Sequence, residues 1–184
     1  MKEAQTLPSR QVLIEVGKML SLQGGSALQL TTEQIAQAAH ISEDLFYTYF
    51  SDQRAYLLAL LQHFLDLARA EAIDALSSTA VGLPRIFAAW ASYWDANLRW
   101  RPLRELAIHF RTDLEGSEIL RMRLAGVVMI AQHELKSIHW PNPAEVARLT
   151  AQMVVETAVA EFEVGHALPA MRESVLAYFN TPVK

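Results

Sequence analysis

The residues able to do metal or acid–base chemistry in this sequence fall into incomplete patterns. His133-Glu134 begins like a zinc-protease helix, but that motif needs a second histidine at the position where Ser137 stands. His133 and His139 are six residues apart, about 600° around a helix, so they point to different faces. Glu163-x-x-His166 matches half of a di-iron helix pair, and the chain holds no second Glu-x-x-His. The absence of cysteine excludes a thiol nucleophile, a Cys-ligated zinc and a disulfide scaffold. No phosphate-binding glycine loop or nucleophile elbow occurs. The reading predicts no enzyme, no metal and no cofactor.

A second set of residues points to binding. Phe87, Trp90, Ala91, Trp94 and Leu98 recur along one helical stripe, flanked by Tyr93, Asn97 and Trp100. Such a stripe either fills a core or lines an apolar cavity, with Tyr93, Asn97 and His109 as polar handles. Met122, Met129 and Met153 suit the same space, since flexible Met adapts to irregular shapes. Trp90, Tyr93, Trp94, Asn97, His109 and Met129 are the expected contacts for a small apolar or aromatic ligand.

The elements that must position these residues are helices. Apolar residues recur at helical spacing, no strand-like alternation repeats, and the few glycines and prolines fall mostly between periodic segments. The fold class is therefore all-α, with about nine helices. The first runs from about Ser9 to Gln23, with Val12, Val16, Met19 and Leu20 inward and Gly24-Gly25 as its stop. The second opens on a Thr31/Gln34 capping box, with Ile35, Ala38 and Ala39 inward. The third is capped by Ser42. Later helices are expected at about 52–78, 84–97, 101–112, 117–139, 143–164 and 169–179, with LEGSE (residues 114–118) separating the sixth from the seventh. The opening helices are short and the rest longer. That asymmetry predicts a small head, residues 1–52, on a larger body, residues 53–184, with the fourth helix shared.

The stretch TTEQIAQAAHISEDLFYTYF has helix-turn-helix proportions: a capped helix, a turn at His40-Ile41, and a second capped helix. Ile35, Ala36, Ala39, Ile41 and Phe46 would pack the two together. Gly25, Thr31-Thr32, Ile35-Ala36, Ala38-Ala39, Ile41-Ser42 and Tyr47-Thr48-Tyr49-Phe50 stand here in the order found in TetR-family repressors, and about Arg10 to Leu61 resembles the DNA-binding head of that family. The resemblance implies a homodimer whose recognition helix, about Glu43 to Tyr49, enters the major groove of palindromic operator DNA. It places DNA contacts at Thr32, Ser42, Glu43, Leu45, Tyr47, Tyr49 and Gln53. It also implies a ligand-responsive body and a dimer interface through about residues 143–179, where Val154, Val155, Ala158, Val159, Phe162, Val175, Leu176 and Phe179 form apolar faces.

The sequence departs from the family pattern in three places. Asp44 and Leu45 replace a Gly and a small hydroxyl residue, Gln53 replaces a phosphate-binding Lys, and His40 replaces the turn Gly. His40 can adopt positive φ more readily than most residues. Charge adds a further feature. The chain carries a net −4, and from Met1 to Ala55 four bases (Lys2, Arg10, Lys18, Arg54) face six acids (Glu3, Glu15, Glu33, Glu43, Asp44, Asp52). Lys and Arg normally supply non-specific DNA affinity by releasing counterions. The expected function is a TetR-like ligand-responsive repressor. The alternative is a protein of that fold that holds a ligand or partner and has lost operator binding. With no apolar leader and no apolar run long enough to span a membrane, a cytoplasmic protein without membrane contact is expected.

Overall fold

The computed structural model describes residues 9–180, and these form nine α-helices with no strand. The helices are α1 (Arg10–Gly24), α2 (Thr32–Ala38), α3 (Glu43–Tyr49), α4 (Gln53–Ser77), α5 (Leu83–Arg99), α6 (Arg101–His109), α7 (Leu114–Ser137), α8 (Pro143–Val164) and α9 (Pro169–Ala177). Short 3-10 turns follow α6 and α9. Lys2 and Glu3, counted in the head's charge, lie outside the described residues.

Local chemistry sets most of the boundaries. Ser9, Thr31, Ser42, Asp52 and Asp113 each accept a backbone N–H of the first helical turn. Thr31 and Gln34 complete a reciprocal capping box, at 3.2 and 3.0 Å. Gly25 ends α1 at φ 83° and Gly165 ends α8 at φ 81°, conformations that glycine adopts without a Cβ clash. His40 takes the turn between α2 and α3 at φ 55°.

Three expectations need correction. The inward face of α1 is rotated by one residue: Leu13, Val16 and Gly17 are buried, whereas Val12 and Met19 are exposed. The cause is Gly17, which has no side chain to register in an apolar count. A Cβ there would lie 1.8 Å from the Tyr56 hydroxyl, which donates to the Leu13 carbonyl at 2.9 Å. The glycine lets α1 close onto α4. In α2, Ile35 and Ala36 are buried and Ala38 is exposed, because a helix this short turns only one edge to the core. Finally, residues 114–118 are the first turn of α7 rather than a linker. Asp113 accepts from the Gly116 N–H at 2.9 Å, and Gly116 abuts Phe110, where a Cβ would come within 2.5 Å. The glycine permits a close approach there rather than a break.

The core runs from the head into the body without interruption. Leu13, Ile35, Phe46 and Phe50 pack on the buried stripe of α4, which includes Tyr56, and that cluster continues to Leu103 and Leu106 of α6 and to Phe110 in the turn after it. A second cluster joins α5, α7, α8 and α9 through Trp90, Trp94, Leu135, Val154 and Val175, with Phe179 from the turn after α9. Part of the apolar face expected at a dimer interface is thereby turned inward: Val154, Ala158, Val175 and Phe179 are buried within the chain. Leu149, Val164 and Met171 are the exposed large apolar side chains of α8 and α9. No described helix is long and apolar enough to cross a membrane.

Candidate functional site

The head presents the outer face of α3. Phe46 anchors this helix in the core, against Phe50 and Tyr56 at ring-centroid distances of 5.4 and 5.3 Å. That anchoring turns Glu43, Asp44, Tyr47 and Thr48 outward. Tyr47 is 48% exposed, Leu45 and Tyr49 are half-buried, and Ser42 is exposed at the cap. Thr32 is only 7% exposed, and its hydroxyl meets that of Tyr47 at 3.5 Å. Gln53 is exposed at the first turn of α4, with its amide donating to the Leu30 carbonyl at 2.5 Å. The expected DNA contacts therefore do gather along one side of the head, although Thr32 reaches it only through Tyr47. Thr48 belongs to the same face and was not singled out from the sequence. It stands one residue from Tyr47, and a helix of known orientation is needed to see that both face out.

The cations of the head are mostly engaged. Lys18 pairs with Glu15. Arg54 forks across Asp113 at 2.7 and 2.9 Å and reaches Glu115 at 3.1 Å. Arg10 lies 4.8 Å over the Phe50 ring and has no ion pair among the described residues. The Arg54 fork, with help from the Gly116 N–H, holds the Asp113 carboxyl below the usual carboxylate range. A lowered carboxylate favours the folded state above its unfolded pKa. This contribution is therefore present at neutral pH and disappears as pH falls through the lowered value. Arg54 is exposed and Asp113 only half-buried, so the effect on global stability is small, but the pair ties the start of α4 to the start of α7.

The body contains a cavity of about 810 Å³ bounded by α4, α5, α6, α7 and α8. Its wall is mainly apolar, with Leu65 and Ile73 from α4, Trp90 and Tyr93 from α5, and Val159 from α8. Of the six expected ligand contacts, Trp90, Tyr93 and Met129 line it, Met129 at an exposed rim. The other three do not. Trp94 is turned against α8, its indole N–H donating to the Val154 carbonyl at 2.9 Å. Asn97 folds back onto its own helix, donating to the Tyr93 carbonyl at 2.7 Å. His109 is exposed and belongs to a separate shallow hollow with Gln53 and Asp113.

Two buried charges in the cavity wall escaped sequence reasoning. Arg104 is 4% exposed and Glu134 6%. Glu134 approaches Arg85 at 3.4 Å through one oxygen, while its other oxygen has no partner. The Arg104 guanidinium makes no hydrogen bond, ion pair or ring contact among the described residues. The available signal was a pattern running through α6 into the 3-10 turn after it: Arg104, Ala107, Ile108 and Arg111 fall at i, i+3, i+4 and i+7, and all four line the cavity.

The same helix holds the head. Glu105 accepts from the Ser26 hydroxyl at 2.7 Å and from the Leu28 N–H at 3.0 Å. The Ala27 N–H donates to the Pro102 carbonyl at 3.2 Å. Neighbouring residues of α6 thus face the cavity and grip the α1–α2 connection. Among the described residues no group of three His, Asp or Glu side chains gathers as a metal site.

No family model and no curated protein matches the sequence. Solved structures do match the fold. A transcriptional regulator from Rhodococcus sp. Rha1 superposes with a TM-score of 0.73 at 17% identity, over 93% of each chain. A Rhodococcus sp. protein described as a TetR-family transcriptional regulator gives a TM-score of 0.72 at 15% identity, over 93% of this chain and 96% of that one. The reduced form of NemR from E. coli gives 0.69 at 16% identity, over 95% and 98%. At these identities the likeness is one of fold, and it extends across head and body alike.

Proposed function

We propose that this chain, which has the fold of TetR-family transcriptional regulators, works as a ligand-responsive repressor. Two copies would join through α8 and α9, within residues 143–179, and set their α3 helices in successive major grooves of a palindromic operator, roughly 34–36 Å apart. The observation that carries this reading is the bifunctional α6, which lines the cavity with Arg104, Ala107 and Ile108 and holds the head through Glu105 and Pro102. A ligand that favours one placement of α6 shifts the population of head positions and so the fit to DNA. The role needs no catalytic step.

DNA contact is assigned to the outward face of α3 together with Ser42, Thr32 and Gln53. Tyr47 offers an exposed hydroxyl on the face and can donate to a phosphate. Tyr47→Ala is expected to weaken operator binding roughly tenfold, the scale of a hydrogen bond to a charged group, with the dimer intact by sedimentation. Tyr49→Ala should weaken binding too, with some loss of stability because its ring packs on the core. Unchanged binding in both variants would displace the recognition surface from α3.

One observation favours a second reading. Glu43 and Asp44 are exposed on the proposed DNA face, and Lys18 and Arg54 are tied to carboxylates. A protein that holds a ligand or partner without DNA would look the same. The two readings differ in salt dependence, because an operator binder loses affinity steeply as salt rises.

A further inference from the structure

We propose that the cavity receives an apolar monocarboxylate whose carboxylate is paired by the buried guanidinium of Arg104. The inference rests on the reading of the cavity as a ligand site and adds the chemistry of the ligand. Arg104 is 4% exposed, lines the cavity and has no acceptor among the described residues. Its Nε is among the buried polar atoms left without a partner. Arginine does not shed its proton in a protein, so burial cannot be relieved by neutralisation. An unpaired buried cation is costly unless an anion arrives to meet it. The planar guanidinium fork matches a carboxylate with two parallel hydrogen bonds.

The rest of the wall restricts the ligand further. Arg111, in the 3-10 turn that follows α6, is exposed at the rim and extends the positive side of the cavity outward. Glu134 is the one other buried charge in the wall, already faced by Arg85. It would repel a second anionic group but can accept a hydrogen bond from a hydroxyl or amide. Apolar side chains from α4, α5, α7 and α8 supply most of the remaining surface. The ligand therefore carries one negative charge at one end of an apolar body.

The test uses the full-length protein and two matched pairs of probes: decanoate with decanol, and 1-naphthoate with 1-naphthalenemethanol. Binding is read by calorimetry in wild type, Arg104→Met and Arg104→Lys. At least one acid is expected to bind wild type at least about tenfold more tightly than its alcohol. Arg104→Met should abolish that preference while keeping or improving alcohol binding, which also shows that the variant is folded. Arg104→Lys, which keeps the charge without the fork, should fall between. Equal binding of acid and alcohol to wild type, or a preference that survives in Arg104→Met, would overturn the proposal and leave the cavity as a ligand site. Binding by none of the four probes would overturn both the carboxylate assignment and the ligand-site reading.

Discussion

Glu161→Ala should destabilise the protein by about 3 kcal/mol, the low end of the range for removing one partner of a buried ion pair. Glu161 is fully buried in α8. Its carboxylate takes Arg172 of α9 in a fork, at 2.5 and 2.9 Å, and also caps the turn between the two helices by accepting the Leu168 N–H at 2.9 Å. Arg172 continues to Asp95 of α5 at 2.7 Å and lies 5.3 Å over the Trp94 ring. One carboxylate thus fixes α9 on α8 and, through Arg172, on α5. Arg172 keeps Asp95 and some solvent after the substitution, which is why the cost stays at the low end. Glu161→Gln retains an acceptor and should lose less. Chemical denaturation measures both. Because α8 and α9 are the proposed dimer face, Glu161→Ala should also raise the dimer dissociation constant in sedimentation. A variant as stable as wild type would mean that the α8–α9 packing does not depend on this pair.

Glu105→Ala should disconnect ligand from DNA. Coupling between two sites is typically worth 1–3 kcal/mol, about 5- to 150-fold in affinity. Glu105 supplies the two side-chain-mediated hydrogen bonds that join α6 to the α1–α2 connection. Without them Arg104 and the cavity wall remain, and decanoate should bind within about twofold of wild type. Its effect on operator affinity should fall below about threefold, beneath the range of ordinary coupling. Hydrogen exchange at the Leu28 amide reads the lost contact directly, since its N–H would have no carboxylate to meet. Full release of DNA by ligand in Glu105→Ala would move the transmission route to another contact, such as Arg54 with Asp113.

Helix boundaries were legible wherever a side chain itself makes the boundary. Ser9, Thr31, Ser42, Pro84, Pro143 and Gly165 stand at or beside the observed ends. The errors in α1 and at the start of α7 share a cause. Gly17 and Gly116 serve close contact, with Tyr56 and with Phe110, and one sequence cannot distinguish a glycine that allows contact from one that breaks a helix. Trp90 and Trp94 looked equivalent on one stripe, yet four residues advance a helix by about 40° beyond a full turn. That rotation is enough to point Trp90 at the cavity and Trp94 at α8. Arg104 and Glu134 were illegible for a different reason. Charged residues are expected outside, and only the packing of five helices reveals that these two are inside.

The central claim is that two copies of α3 read a palindrome. Selection from a randomised duplex library, followed by fluorescence anisotropy on the enriched sequence across a salt series, tests it most directly. The account predicts enrichment of a palindromic sequence, bound with an affinity that falls steeply as salt rises, and weakened by Tyr47→Ala. No enrichment, or binding that is indifferent to sequence, would contradict it and favour a TetR-like fold that holds its ligand without reading DNA.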